Sequence, residues 1–313
     1  MGLLASDQAA PKERILTACL IALPGAEACA GRLAAELRLP CCRLDSRRFP
    51  DGETYLRVLD PVAGCDVWVV AQLREPDPQL PGLLFLADAL RELGAARVGL
   101  VAPYLPYMRQ DMRFRAGEAV TSRSLANWID ARFDGLVTVD PHLHRIATLD
   151  AIYRLRSFVV PSAPAIAAWL REHVAQPHLV GPDEESRQWV AEVARLARCD
   201  FTVLRKDRRG DLDVEVSVPP SPDWQGRTPV LVDDIISSAH TMAGVVRQLR
   251  AAGLAAPLCI GVHAVFAAGA QALLEQAGAA RVVTCNTLEH ASNGIDLTAG
   301  LAEGVRALRG FQA

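Results

Sequence analysis

Short apolar runs recur along the chain at 15–23, 67–72, 97–102, 135–139, 156–160, 177–181, 200–204, 229–233, 258–265 and 280–284. Between them, apolar and polar residues repeat at helical spacing over 27–37, 79–94, 121–131, 162–175, 184–197, 241–253 and 268–277. Runs this short that stay apolar throughout predict strands buried on both faces. Strands separated by amphipathic helices predict parallel sheets with helices on both sides. The chain therefore reads as α/β throughout. Ser157 to Pro164 separates two strand sets of similar size, so two doubly wound parallel-sheet domains are expected, 1–158 and 159–313.

Composition narrows the partners. Half of the 313 residues are hydrophobic and the formal net charge is −3, with no basic excess for nucleic acid to meet. No apolar run reaches membrane-spanning length, so neither nucleic acid nor a membrane is expected as a partner. Cysteines 19, 29, 41, 42, 65, 199, 259 and 285 lie in apolar stretches without a C-x-x-C pair, the pattern of reduced core residues in a cytoplasmic protein. Lys12 and Arg14 before Ile15–Leu23, with Ala28-Cys29-Ala30 beyond, imitate an export signal. The run is short, and Pro24-Gly25 ends it as a turn ends a strand, so a first β-strand is the expectation.

The densest chemistry lies in Val230-Leu231-Val232-Asp233-Asp234-Ile235-Ile236-Ser237-Ser238-Ala239-His240-Thr241, followed by the helical spacing Met242, Val245, Val246, Leu249. A strand, a tight loop and a helix start are predicted. Amide groups at a helix N-terminus attract phosphate, and adjacent carboxylates bind sugar hydroxyls or magnesium. A buried strand whose acids merely cap the next helix has the same pattern. The segment resembles the phosphoribosyl pyrophosphate binding motif of the phosphoribosyltransferase fold.

Five further segments sit at the ends of predicted elements. Arg48-Phe49-Pro50-Asp51-Gly52-Glu53 is an exposed turn offering an aromatic ring and two acids, suited to a purine and its exocyclic amine or to no ligand at all. Arg109-Gln110-Asp111 follows the strand ending near Val101, where open α/β sheets place ligands; Arg109 suits a polyphosphate or a structural pair with an acid. Asp140-Pro141-His142 follows another strand, and His142 is a metal ligand or a plain hydrogen-bonder. Asp183, after Gly181-Pro182, suits an N-cap and a magnesium ligand equally. Lys206-Asp207-Arg208 is either a solvated basic turn or a pair of cations for charge developing on phosphate.

In order and spacing, these segments are similar to those of the ribose-phosphate pyrophosphokinases, over roughly residues 15–300. Gly117 to Ser122, and the single residue between Lys206 and Arg208, resemble the shorter archaeal-type members, which implies weak or absent inhibition by ADP. The resemblance implies two phosphoribosyltransferase-type domains, the first on the ATP side and the second on the ribose 5-phosphate side. It implies adenine contacts at Phe49, Asp51 and Glu53 from a neighbouring subunit, and hence a homodimer or larger homo-oligomer. ATP phosphates then fall to Arg109 and Gln110, Mg²⁺ to His142 and Asp183, and catalysis to Lys206 and Arg208. Asp233 and Asp234 would hold the ribose hydroxyls, with Ser237, Ser238, Ala239, His240 and Thr241 around the 5-phosphate. The chain departs from the family pattern at His240, where a small residue is usual, at Ser237, where an acid is common, and at Glu184-Glu185, where glycines are common. A base-consuming phosphoribosyltransferase and a non-catalytic regulatory homologue are the competing expectations.

Overall fold

The computed structural model of the protein describes residues 17–309, with 144, 209–213, 218–223 and 225 excepted. The first unit begins β1 (Ala18–Ala22), α1 (Glu27–Leu37), β2 (Cys41–Cys42), β3 (Leu44–Arg48), β4 (Thr54–Val58) and β5 (Asp66–Val70). It continues α2 (Pro76–Glu92), β6 (Arg97–Val101), α3 (Thr121–Asp130), β7 (Gly135–Val139) and β8 (Arg156–Val160). Its six-stranded sheet runs β2-β1-β5-β6-β7-β8, every pair parallel, while β3 and β4 form a separate antiparallel hairpin.

The second unit holds α4 (Ala163–His173), β9 (Pro177–Gly181), α5 (Arg187–Ala197), β10 (Asp200–Val203), and the hairpin β11 (Arg205–Arg208) with β12 (Val214–Ser217). Then come β13 (Thr228–Ile236), α6 (His240–Ala251), β14 (Leu258–Ala264), α7 (Ala270–Ala277), β15 (Arg281–Cys285), β16 (Asn293–Ile295) and α8 (Thr298–Arg309). Its sheet runs β10-β9-β13-β14-β15-β16, again all parallel.

Alternation along each strand sorts the core. Leu20, Trp68 and Val70 face one side of the first sheet, while Cys19, Ile21, Val67 and Val69 face α2 and α3 on the other. Leu179, Val230, Val232 and Ile260 of the second sheet join the same cluster as Leu20 and Trp68, together with residues of α1, α4, α5 and α8. Helices α1, α4, α5 and α8 and the facing sides of both sheets thus share one apolar cluster. The outer face of the second sheet packs on α6 and α7.

The last helix was not foreseen and returns to the first unit. Helix α8 packs on α1, β7 and β8, Arg309 Nε donates to Asp66 at 3.0 Å, and Arg97 donates to Leu308 O at 3.2 Å. Small residues permit the approach: a Cβ on Gly300 would lie 2.5 Å from Val160 Cγ1, and one on Gly304 would lie 2.8 Å from Phe158 and Val137. Further differences are local. The 184–197 helix opens with a 3-10 turn at Glu184–Ser186, and β13 runs on through Ile236, so Asp233 and Asp234 belong to the strand. The expected first strand is present, as Ala18–Ala22. All eight cysteines are free thiols; Cys41 is exposed and Cys199 half-buried, unlike the six buried ones.

Candidate active site

Parallel sheets expose the carboxyl ends of their strands, and loops leaving several of these ends meet in one cavity of about 430 Å³. The loop after β6 contributes Arg109, the loop after β7 contributes Asp140 and His142, and the end of β9 contributes Asp183. From β13 and the turn beyond it come Asp233, Asp234 and Ser237 to Thr241.

The turn into α6 is tight because Ala239 takes the left-handed conformation, φ 61°, which glycine adopts more easily. Helix α6 then starts at His240 with no side chain capping its first turn and no acid in it. Its leading amide groups open onto the cavity and suit an anion. Beside them Asp234 N donates to Asp233 Oδ1 at 3.0 Å, and His142 Nδ1 donates to Asp234 Oδ2. Burial, and then the like charge of Asp234, push the Asp233 carboxyl well above the ordinary carboxylate range.

Asp140 enters the sequence pattern only as the residue before Pro141-His142, yet it links the two units. Its Oδ2 accepts from Ser162 N at 3.0 Å, from Ser162 Oγ, and from Trp189 Nε1 at 3.4 Å. Its carbonyl faces His263 Nε2 at 3.4 Å, and the other ring nitrogen of His263 lies 3.0 Å from Thr287 Oγ1. Burial holds the His263 imidazole below its ordinary value. With φ 28°, Asp140 is in a conformation that Asp and Asn tolerate better than other side chains. Trp189 and Ser162 went unrecognised; Trp189 is the one aromatic residue of the 184–197 segment, the only signal it carried.

Other expected residues are placed as follows. Asp183 caps the 3-10 turn, its Oδ1 accepting from Ser186 N at 3.3 Å, and it lines the cavity as well. Gln110 does not line the cavity, and Thr121 Oγ1 donates to its Oε1 at 3.0 Å, which ties the loop to the start of α3. The structural Arg–Asp pair of this region is Arg145 with Asp111 at 3.3 Å, which leaves Arg109 at the cavity wall. Lys206 and Arg208 lie on β11, and their side chains fall outside the described residues.

Phe49, Asp51 and Glu53 form the tip of the β3–β4 hairpin, where Gly52 has φ 92° and Phe49 N donates to Glu53 O at 2.8 Å. None of the three lines the cavity of their own chain. Phe49 is nevertheless organised as a platform. The Arg47 guanidinium sits 4.7 Å from its ring centre and 4.4 Å from that of Tyr55, and the two rings meet edge to face at 6.1 Å.

The donors also bear on magnesium. Among the described residues no three acids, histidines or cysteines converge as a ready cage. Magnesium needs none: it keeps waters and takes one or two carboxylates together with substrate phosphates. Asp183, Asp233 and Asp234 at the cavity wall supply the hard oxygens that fit it, with His142 alongside.

Comparison with known proteins bears on the same elements. Residues 18–132 match the model for the N-terminal domain of ribose phosphate pyrophosphokinase, and 160–299 match the phosphoribosyl transferase domain. The chain is 34% identical over 281 residues to a ribose-phosphate pyrophosphokinase of Methanopyrus kandleri, covering 89% of this chain and 95% of that one. The protein belongs to the ribose-phosphate pyrophosphokinase family. A member from Methanosarcina acetivorans is 33% identical over 295 residues, covering 92% of this chain and 99% of its own length. The crystal structure of phosphoribosylpyrophosphate synthetase from Mycobacterium smegmatis superposes on the protein with a TM-score of 0.82 at 25% identity, over 94% of this chain and 99% of that one. The resemblance to archaeal members of this family, and the pair of α/β units, are thereby confirmed.

Proposed function

We propose that the protein transfers the pyrophosphoryl group of ATP to the 1-hydroxyl of ribose 5-phosphate, giving phosphoribosyl pyrophosphate and AMP. The observation that carries this reading is the convergence on one cavity of a sugar-phosphate cradle, Asp233 to Thr241, with Arg109, His142 and Asp183.

In this reading the start of α6 holds the 5-phosphate, while Asp233 and Asp234 fix the ribose hydroxyls so that the anomeric oxygen points at the β-phosphorus. The new bond forms between that oxygen and the β-phosphorus, and the hydroxyl proton passes to solvent. The bond from the β-phosphorus to the α-phosphate bridging oxygen breaks, and AMP leaves. Such transfers ask a protein for position and charge more than for covalent help. Arg109 meets the polyphosphate, and Lys206 and Arg208 offset charge on the moving group. When bound, Mg²⁺ neutralises phosphate oxygens; His142 and Asp183 are the residues that would hold it.

The hairpin tip of a second subunit completes the nucleotide end, Phe49 stacking on the adenine with Asp51 and Glu53 at its edge. The enzyme is accordingly a homodimer or larger, divided into an ATP side at 1–158 and a ribose side at 159–313, with α8 of the latter resting on the former. Gln110 orders the Arg109 loop before it meets ATP. No helix among the described residues is long and apolar enough to cross a membrane, and the free thiols accord with the cytoplasm.

Purified protein given ATP, ribose 5-phosphate and magnesium should release AMP and the activated sugar without any added base. AMP that appears only with an added base would mark a phosphoribosyltransferase instead, and no AMP at all would defeat the reading. Lys206→Ala should lower kcat by orders of magnitude with little change in ribose 5-phosphate binding; unaltered kcat would remove Lys206 from the chemistry.

A further inference from the structure

Among the described residues, few carry positive charge around the end of the cavity where the sugar phosphate is to sit. Asp140, Asp183, Asp233 and Asp234 all line it, and among its described lining residues Arg109, His142 and His240 are the basic ones. Arg109 comes from the loop after β6, and His142 Nδ1 is bonded to Asp234. That turn is built from Ser237, Ser238 and Ala239, which carry no charge. His240 stands at the first position of α6, exposed, on the cavity wall, directly after the left-handed Ala239.

The first turn of α6 has neither a capping side chain nor an acid with which the imidazole would pair. Its backbone dipole favours an anion at this end. A side-chain N–H donor held here therefore gains most when a dianionic phosphate is bound against the same amide groups.

We propose that the His240 side chain is a specificity-determining donor to the phosphomonoester of the acceptor sugar, adding a charge-bearing contact to the backbone cradle of α6. The inference rests on the reading of this cavity as the ribose 5-phosphate site, and it makes a claim that reading does not. Recognition of the phosphate depends on this side chain, whereas a loop of small residues would rely on amide groups alone. The sugar ring, held by Asp233 and Asp234, is indifferent to it.

A substitution series at position 240 tests this. His240 is exposed and lies at a helix start, so glycine, glutamine, lysine and glutamate are all accommodated there, and melting curves confirm folding for each variant. His240→Gly should raise KM for ribose 5-phosphate about tenfold, the worth of one charge-assisted hydrogen bond, with KM for ATP unchanged. His240→Gln should fall between the two, His240→Lys should restore the wild-type KM, and His240→Glu should raise it beyond the glycine variant. Calorimetric titration with ribose 5-phosphate, with inorganic phosphate and with unphosphorylated ribose separates the moieties: the first two should follow the series and ribose should not. A KM that stays constant across the series, or that falls in His240→Gly because the imidazole only crowds the turn, overturns the proposal. A wild-type protein that makes no AMP overturns the reaction instead. The calorimetric series then still decides the role of His240, because binding of the sugar phosphate is read without turnover.

Discussion

Asp140→Asn removes one charge and leaves shape and backbone preference almost untouched, because Asn tolerates positive φ as Asp does. Three donors converge on the single oxygen Oδ2: Ser162 N at 3.0 Å, Ser162 Oγ, and Trp189 Nε1 at 3.4 Å. An amide oxygen in that place accepts neutral hydrogen bonds, each weaker by about 1 kcal/mol than its charge-assisted counterpart. Three such bonds give a loss of about 3 kcal/mol. If the amide turns its NH₂ toward Ser162, donors face donors and the loss grows. In a chain of this length about 2 °C of melting temperature accompanies each kcal/mol, so the variant should melt about 6 °C lower. The damage should also reach activity, because His142 follows on the same loop and Ser162 precedes α4 in the other unit. Differential scanning calorimetry on the metal-free protein, with kcat/KM measured in parallel, checks both effects. A melting temperature within about 1 °C of the wild type would refute the assignment of Asp140 as a charged clamp between the units.

Asp233→Asn should act in the opposite direction. The Asp233 carboxyl is raised by burial and then by Asp234, so its contribution to folding is complete below the ordinary carboxylate range and is lost as pH climbs through the raised value. Without magnesium, the Asn variant should therefore melt with the wild type near pH 4 and progressively above it toward pH 8, while losing ribose 5-phosphate binding; equal melting at pH 8 would show that the carboxyl carries no such penalty. Gly304→Ala should destabilise by about 1–3 kcal/mol, read by urea unfolding, because its Cβ would lie 2.8 Å from Phe158 and Val137; an unchanged midpoint would mean that α8 is not held tightly on β7 and β8. Phe49→Ala and Lys206→Ala, each nearly inactive alone, should recover about a quarter of wild-type activity after co-refolding, because one site in each mixed dimer is intact. No recovery would place Phe49 in the same subunit's site or outside the site altogether.

Local pattern alone determined much of this protein. Apolar runs of strand length separated by amphipathic helices state that the sheets are parallel and buried, since only strands covered on both faces dispense with polar alternation. The residues that follow those runs, Asp140 to His142, Asp183, and Asp233 to Thr241, are legible as site residues because a parallel sheet sends all its carboxyl ends to one edge. Periodicity carries no information about contacts between distant segments. The return of α8 to the first sheet joins residues such as Arg97 and Leu308, and it depends on small side chains at Gly300 and Gly304, which weaken the helical signal itself. The β3–β4 hairpin is polar and short, and its position away from its own cavity follows from packing on α2 rather than from any pattern in Phe49 to Glu53. The convergence of Ser162 and Trp189 on one oxygen of Asp140 exists only once both sheets share a helical layer. Strand-end chemistry is local because each loop inherits its place from its strand, whereas the pairing of loops from two sheets is set by how those sheets pack.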